Sequence, residues 1–407
     1  MKREKPNLIF RKTNSNSFTL IVLLNAIEQK GIDKKFDIRL VSSHKDLINS
    51  VSSKKENIIL FSFMTHHAPD IINQVKSIRN KFGDDPVLIA GGPHPKGDPD
   101  STMRMGFDIV STGDGEATLP RILEDILENG DSVRSSFYPD KIDDIETSFP
   151  ISIYTPMMSP LEITRGCFYR CTYCQTGGAK PIHRSISSAR EYLEELVKRD
   201  YLFRVGFINP SGFEYGASGP GRTDKHEIEK LLRMFKQRGI RHLEYGIFPS
   251  ELRPNTIEPD LLDLIVKYCS NKKIAIGGQS GSDHILRKMR RGHTKEDVIR
   301  SCALSREADL VPYVDFIIGY PDETEEDTLE TIEFARELNL KFNARTQMHF
   351  FLPLAGTPLY GKDPAFLSKK VIRRLEKYVK DGVCTDWWKQ GISISKKIVE
   401  MKRNQES

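Results

Sequence analysis

Twice along this chain, short apolar runs alternate with amphipathic stretches of helical spacing, and few folds accept that rhythm. In the first series NLIF (7–10), FDIRLV (36–41), NIILFSF (57–63), PVLIAGG (86–92) and FDIVST (107–112) have the length and composition of buried strands. Between them lie FTLIVLLNAIEQKG, HKDLINSVSS, APDIINQVKSIRNKFG, a short helical stretch near residue 100, and TLPRILEDILENG with its terminal Gly. Such alternation makes a doubly wound parallel sheet, so residues 1–130 are expected to form a Rossmann-like domain. Residues 131–160 lose the periodicity, and the Pro and Asp of YPDKIDDIETSFP and TPMMSP suit a linker.

The second series occupies residues 161–360. Its strands are LEIT (161–164), RVGFIN (204–209), HLEYGIF (242–248), KIAIGG (273–278), VDFIIG (314–319) and QMHFFL (347–352). Helices are expected near 187–199, 224–238, 258–269, 294–306 and 324–338. Six βα units make a partial (β/α)6 barrel, whose chemistry belongs at the C-terminal ends of its strands. Residues 361–407 read as a small helical, basic region, with Trp387 and Trp388 expected to pack rather than to bind. The whole is an α/β chain.

Its 407 residues exceed one ordinary core. Basic MKREKPN is followed by polar FRKTNSNS, so no signal peptide is expected, and no apolar run approaches the ~20 residues of a membrane span. Six cysteines in this length do not make a disulfide framework, and a reducing cytoplasm is expected. A net charge of +5 does not argue for nucleic acid.

Three of those six cysteines crowd into RGCFYRCTYCQTGG (165–178), directly after the first barrel strand. A structural zinc site takes four closed ligands, commonly as two separated CxxC pairs, and the next cysteine, Cys269, lies far along the chain. Three thiolates on one loop suit a [4Fe–4S] cluster with one iron left open, with zinc or coincidence as the plainer alternatives.

Cys167-x3-Cys171-x2-Cys174, with aromatic Tyr173 before the last cysteine, resembles the signature of the radical S-adenosylmethionine (SAM) superfamily. NPSGFEYG (209–216) stands where that family has a Gly-rich segment meeting the SAM methionine, although it departs from the usual Gly-Gly-Glu, and the resemblance points to Ser211 and Gly212. PSELRPNTI (249–257) resembles the segment that supplies a Glu, here Glu251. GGQSGSDHILRKMRRGHT (277–294) resembles methylthiotransferases and oxygen-independent coproporphyrinogen oxidases, and implies SAM contacts for Gln279 and Arg291. VDFIIGYPDET (314–324) points to Asp315, and FLPLAGTPLY (351–360) resembles the exit of the last strand. The residue types suit such contacts, since Arg291 can pair with the SAM carboxylate, and Glu251 or Asp315 can accept from ribose hydroxyls.

In the first domain, FSFMTHHAPD (61–70), AGGPHP (90–95) and STGDGEATL (111–119) fall at C-terminal strand ends, where doubly wound sheets bind ligands. These loops resemble the cobalamin-binding domain that precedes many radical SAM barrels. The resemblance implies cobalamin contacts from Ser62, Met64, Thr65, Gly91, Gly92, His94, Gly113, Gly115 and Glu116. Asp-x-His-x-x-Gly, whose His binds cobalt in many such domains, is absent.

The resemblance therefore implies three cofactors: a [4Fe–4S] cluster, SAM and cobalamin. It implies a C-methyltransferase that takes hydrogen from an unactivated carbon through a 5′-deoxyadenosyl radical and delivers a methyl from methylcobalamin. A non-methylating reaction such as ring formation is the alternative. Methylthiotransferases share the barrel pattern but carry a second cluster on three N-terminal cysteines, whereas no cysteine precedes Cys167. Implied partners are an external one-electron reductant of ferredoxin or flavodoxin type and a protein or small-molecule methyl acceptor. The order and compact length resemble archaeal members, some of which methylate a glutamine of methyl-coenzyme M reductase.

Overall fold

The computed structural model describes residues 4–142, 144–156 and 160–406. Asp143 and residues 157–159 of the expected linker lie outside them.

The first half runs β1 (Asn7–Arg11), α1 (Ser17–Gln29), β2 (Asp37–Val41), α2 (His44–Ser50), β3 (Asn57–Ser62) and α3 (Ala68–Phe82). It continues through β4 (Val87–Gly91), α4 (Pro93–Gly97), α5 (Pro99–Arg104), β5 (Ile109–Ser111), α6 (Gly115–Asn129) and β6 (Ser136–Tyr138). All pair in parallel, in the order β2-β1-β3-β4-β5-β6. The sheet is covered on both faces, which is why β3 is buried along its whole length rather than alternating. Leu20, Leu24 and Ile27 of α1 join Ile122 and Leu123 of α6 on one face, and Ile71, Val75 and Ile78 of α3 fill the other. After β2 the chain crosses back over β1 to add β3, so the topological switch lies between β1 and β3, and the crevice opens at their C-terminal ends. β6 was not expected. It takes three residues of the stretch read as linker, too few to show a period.

The second half holds β7 (Leu161–Glu162), β8 (Thr164–Cys167), β9 (Ala179–His183), α7 (Ile186–Lys198), β10 (Arg204–Val205), β11 (Phe207–Ile208) and α8 (Lys225–Gln237). Then follow β12 (His242–Leu243), α9 (Pro259–Tyr268), β13 (Lys273–Gln279), α10 (Asp283–Lys288), α11 (Lys295–Glu307), β14 (Val311–Ile318), α12 (Glu325–Phe342) and β15 (Arg345–Phe350). The steps β7–β11, β10–β12 and β13–β14–β15 are parallel, and a bridge between Leu252 and Ile276 joins the third step to the fourth. This is the expected partial barrel, with shorter early strands. RVGFIN breaks at Gly206, which has no side chain to pack. HLEYGIF keeps only its first two residues as β12. LEIT also divides, because β8 leaves the barrel to pair antiparallel with β9. Capping boxes at Thr294/Asp297 and Thr324/Asp327 start α11 and α12.

Beyond the barrel come α13 (Lys369–Lys380) and α14 (Trp387–Glu406). Residues 383–385 bond along the free edge of β15, through Thr346 N–H to the Val383 carbonyl and Thr385 N–H to the Thr346 carbonyl. Trp388 is buried, whereas Trp387 is exposed beside the His349 ring. α14 then crosses to the first domain, where Ile398 and Met401 enter the α3 core. Among the described residues no helix is long and apolar enough to cross a membrane.

Candidate active site

The hairpin of β8 and β9 carries all three clustered cysteines. Cys167 ends β8 at a register shift, and the loop then folds on itself through Cys174 N–H to the Cys171 carbonyl (3.1 Å) and Gly178 N–H to the Tyr169 carbonyl (2.8 Å). Gly177 allows that closure, since a Cβ there would stand 2.5 Å from the Tyr169 carbonyl oxygen. Thr172 N–H ties the loop to the Met289 carbonyl at 3.1 Å. Cys167, Cys171 and Cys174 are free thiols around one cavity of about 310 Å³, shared with Tyr173, Glu251 and Arg291. Among the described residues no three His, Cys, Asp or Glu side chains gather as for a single metal ion.

Two guanidinium groups back this cavity. Arg291 donates from Nη2 to the Gly277 carbonyl (2.8 Å) and from Nη1 to Cys171 Sγ (3.7 Å), while its buried Nε has no partner. Burial opposes its charge, but Tyr173 and Cys171 outweigh that and raise its pKa. Arg253 lies 3.4 Å over the Tyr169 ring and bonds to the Arg291 carbonyl. Tyr169 donates to Glu214 Oε1 (2.8 Å), which also accepts from Gly221 N–H (2.6 Å). Burial raises the Cys167 thiol pKa, with Arg253 among the groups opposing the rise. Arg253, Tyr169 and Glu214 were not singled out from sequence. Arg253 stands two positions past Glu251, and that spacing was the available signal.

Glu251 is half-buried, and its pKa rises to about 7 through loss of hydration and then the negative charge of Asp315. Asp315 is buried, accepts from Gln347 Nε2 at 2.8 Å, and does not line the cavity. Gln279 ends β13 with φ +66° and is buried, and Ser211 is buried with an unpartnered Oγ beside Gly212. Gln279, Ser211 and Gly212 are not on the cavity's lining.

A second cavity, of about 570 Å³, opens at the sheet's switch point, between the first domain and the barrel. Ser62, Gly91, Gly92, Gly113, Gly115 and Glu116 line it, over a floor that includes Leu60 and Ile89. Met64, Thr65 and His94 are not on its lining. His94 is buried, stacks on Phe63 at 5.5 Å and bonds to Thr65 at 3.4 Å, and burial lowers its pKa to about 4. Met64 is exposed, and Thr65 Oγ1 accepts from Ala355 N–H at 3.1 Å. On the barrel side Arg165 closes the wall, reaching Glu116 at 2.6 Å, Glu162 at 2.5 Å and Asp114 at 3.9 Å.

The donor sets fit the three implied cofactors. Three thiols around one space suit an iron–sulfur cluster, and the unpartnered Arg291 Nε suits a carboxylate. Bare glycine backbone around an apolar floor suits a large ligand at a sheet's switch point.

Both halves of the chain resemble known proteins. Residues 161–335 match the radical SAM superfamily, and residues 16–123 match the B12 binding domain. Over 245 residues the chain is 30% identical to the tRNA-2-methylthio-N(6)-dimethylallyladenosine synthase of Fusobacterium nucleatum, covering 57% of this chain and 53% of the synthase. The chain thus spans about half the length of that relative. A putative methylthiotransferase of Methanocaldococcus jannaschii is 26% identical, over 75% of this chain and 70% of its own. Among solved structures, the radical SAM methyltransferase TsrM of Kitasatospora setae, with cobalamin and a [4Fe–4S] cluster bound, superposes with a TM-score of 0.62 at 15% identity, over 88% of this chain and 74% of that one. The cobalamin-dependent radical SAM enzyme OxsB superposes with a TM-score of 0.61 at 13% identity, over 96% of this chain and 56% of that one.

Fold and site thus define a radical SAM domain preceded by a B12-binding domain. The radical SAM domain implies a [4Fe–4S] cluster and SAM, and the B12-binding domain implies cobalamin.

Proposed function

We propose that this enzyme methylates an unactivated carbon. The observation that carries the reading is one hairpin forming a wall of both cavities: its cysteines face one, and Arg165, Gln175 and Thr176 face the other. When bound, the cluster, SAM and cobalamin supply the electron, the hydrogen-abstracting radical and the methyl group. Cys167, Cys171 and Cys174 would hold the cluster and leave one iron open to SAM. Arg291 would hold the SAM carboxylate through its free Nε. Glu251, with its pKa near 7, can accept from a ribose hydroxyl when ionised or donate when protonated. Ser62, Gly91, Gly92, Gly113, Gly115 and Glu116 would bind cobalamin. The Arg165 ion pairs close one wall of its cavity, which helps to keep water out.

An external ferredoxin- or flavodoxin-type reductant is required, and the acceptor is a protein side chain or a small molecule. A glutamine of methyl-coenzyme M reductase is the particular acceptor proposed.

Methylthio transfer is the second reading, favoured by the names of the relatives. Against it, residues 16–123 match a B12-binding domain, and no cysteine before Cys167 is present to hold a second cluster. Anaerobic reconstitution with cobalamin, SAM, a strong reductant and candidate peptides separates the readings by product mass. One added methyl is expected. An added methylthio group would favour the second reading, an unmethylated cyclised product would favour ring formation, and no 5′-deoxyadenosine at all would sink radical catalysis.

A further inference from the structure

The two cavities meet on a single residue. Among the residues around the cysteine cavity and those around the cavity between the domains, Thr176 alone lines both. Its position is fixed from either side. Thr176 N–H donates to Cys174 Sγ at 3.4 Å, so the residue is tied to the last of the three cysteines. Gln175, before it, donates from Nε2 to the Ala355 carbonyl (2.7 Å) and the Pro93 carbonyl (3.3 Å), which anchors the loop to the barrel and to the first domain together. Gly177, after it, is pressed against the Tyr169 carbonyl. Thr176 is exposed, as a residue bordering open space on both sides must be.

We propose that Thr176 is the partition between the SAM and cobalamin sites, and that its small size lets the two bound ligands touch. This rests on the proposed function, because it takes both cavities to hold those ligands. Thr176 then acts as a positioning residue: it fixes the approach of two ligands without bonding to the reacting atoms. A larger side chain at this position is expected to fill the junction where the two cavities meet.

The test uses the full chain, reconstituted anaerobically with its cluster, as wild type, Thr176→Ser and Thr176→Trp. Dissociation constants for SAM and for hydroxocobalamin are measured separately, and the electron paramagnetic resonance spectrum of bound cob(II)alamin is recorded with and without SAM. In wild type and Thr176→Ser, SAM is expected to alter the cob(II)alamin spectrum. In Thr176→Trp both ligands are expected to bind within about threefold of wild type, while the spectrum no longer responds to SAM. An equal response in Thr176→Trp, or none in wild type, overturns the proposal. Loss of one ligand from Thr176→Trp overturns it too, since Thr176 would then belong to that ligand's site alone. A wild type that binds no cobalamin is a different result, and refutes the proposed function instead.

Discussion

Glu323 ends the GYPDE turn after β14, where its Oε2 accepts from Gly319 N–H (2.5 Å) and Tyr320 N–H (3.2 Å) while Oε1 is buried without a partner. Burial raises its pKa to about 8, against the partial opposition of those two hydrogen bonds. The unfolded chain ionises this group near its ordinary value of 4.5, so between there and pH 8 the unfolded state holds fewer protons than the native one. Its contribution to stability is complete below about pH 4.5 and is lost as pH rises to 8. Glu323→Gln keeps an acceptor and cannot ionise. Relative to wild type, it is expected to gain about 2–4 kcal/mol between pH 5 and pH 8.5, read from urea midpoints at the two values. Identical pH responses would refute the assignment. At the cluster, Cys171→Ala should cut iron from about four per chain to below one after reconstitution, with the fold unchanged by circular dichroism. Single residues like these differ in how far sequence reveals them. That Cys167, Cys171 and Cys174 would crowd together was legible from their spacing, whereas Arg291, which lines the same cavity, was pointed to only by the family resemblance of residues 277–294. His94 was not legible, because whether a histidine faces a ligand or packs on Phe63 depends on rotation about a loop.

The hairpin of β8 and β9 is the element on which the site depends, and half of it escaped the sequence reading. Its second strand is AKPIH, only five residues long and interrupted by Pro, so it shows no period. Pairing with β8 rather than intrinsic preference makes it a strand. By contrast α6, α8 and α12 were legible because long amphipathic runs declare themselves. Besides Gln175, Arg165 ties the hairpin to the first domain, its guanidinium serving Glu116 and Glu162 at once. Arg165→Met keeps the apolar stem but leaves two half-buried carboxylates unpaired. A loss of about 2–3 kcal/mol is expected, at the low end for a buried pair because Arg165 retains some exposure. Cobalamin affinity should fall with it, since both carboxylates line that cavity. Unchanged stability and unchanged cobalamin titration in Arg165→Met would show that the ion pairs do not brace the hairpin.

At the scale of the molecule, the two domains are held by more than the chain between them. α14 begins against the barrel, where Gly391 lets it cross β15 so closely that a Cβ would stand 2.7 Å from Cβ of Phe350. It ends against the first domain, with Ile398 and Met401 in the α3 core, Lys402 Nζ 3.4 Å from Asp98, and Ser101 Oγ donating to Gln405 at 2.5 Å. Sequence showed this segment as a basic helix, and its exposed Lys396 and Lys397 fit that reading. The apolar positions Ile394, Ile398 and Met401 recur at helical spacing, but nothing in that spacing says which domain they enter. The latch matters because the cavity proposed to hold cobalamin has walls from both domains, so its shape depends on their staying docked. Ile398 is fully buried. Ile398→Ala removes buried methyl groups and should cost about 2–4 kcal/mol, chiefly from the interface. Ile398→Asp places a charge there and should release α14 from the first domain altogether. Calorimetry of the wild type is expected to give one cooperative transition, with Ile398→Asp splitting it in two. SAM binding, confined to the barrel, should survive in Ile398→Asp, while cobalamin binding weakens at least tenfold. A single transition with unchanged cobalamin affinity would mean that the domains remain docked without the helix.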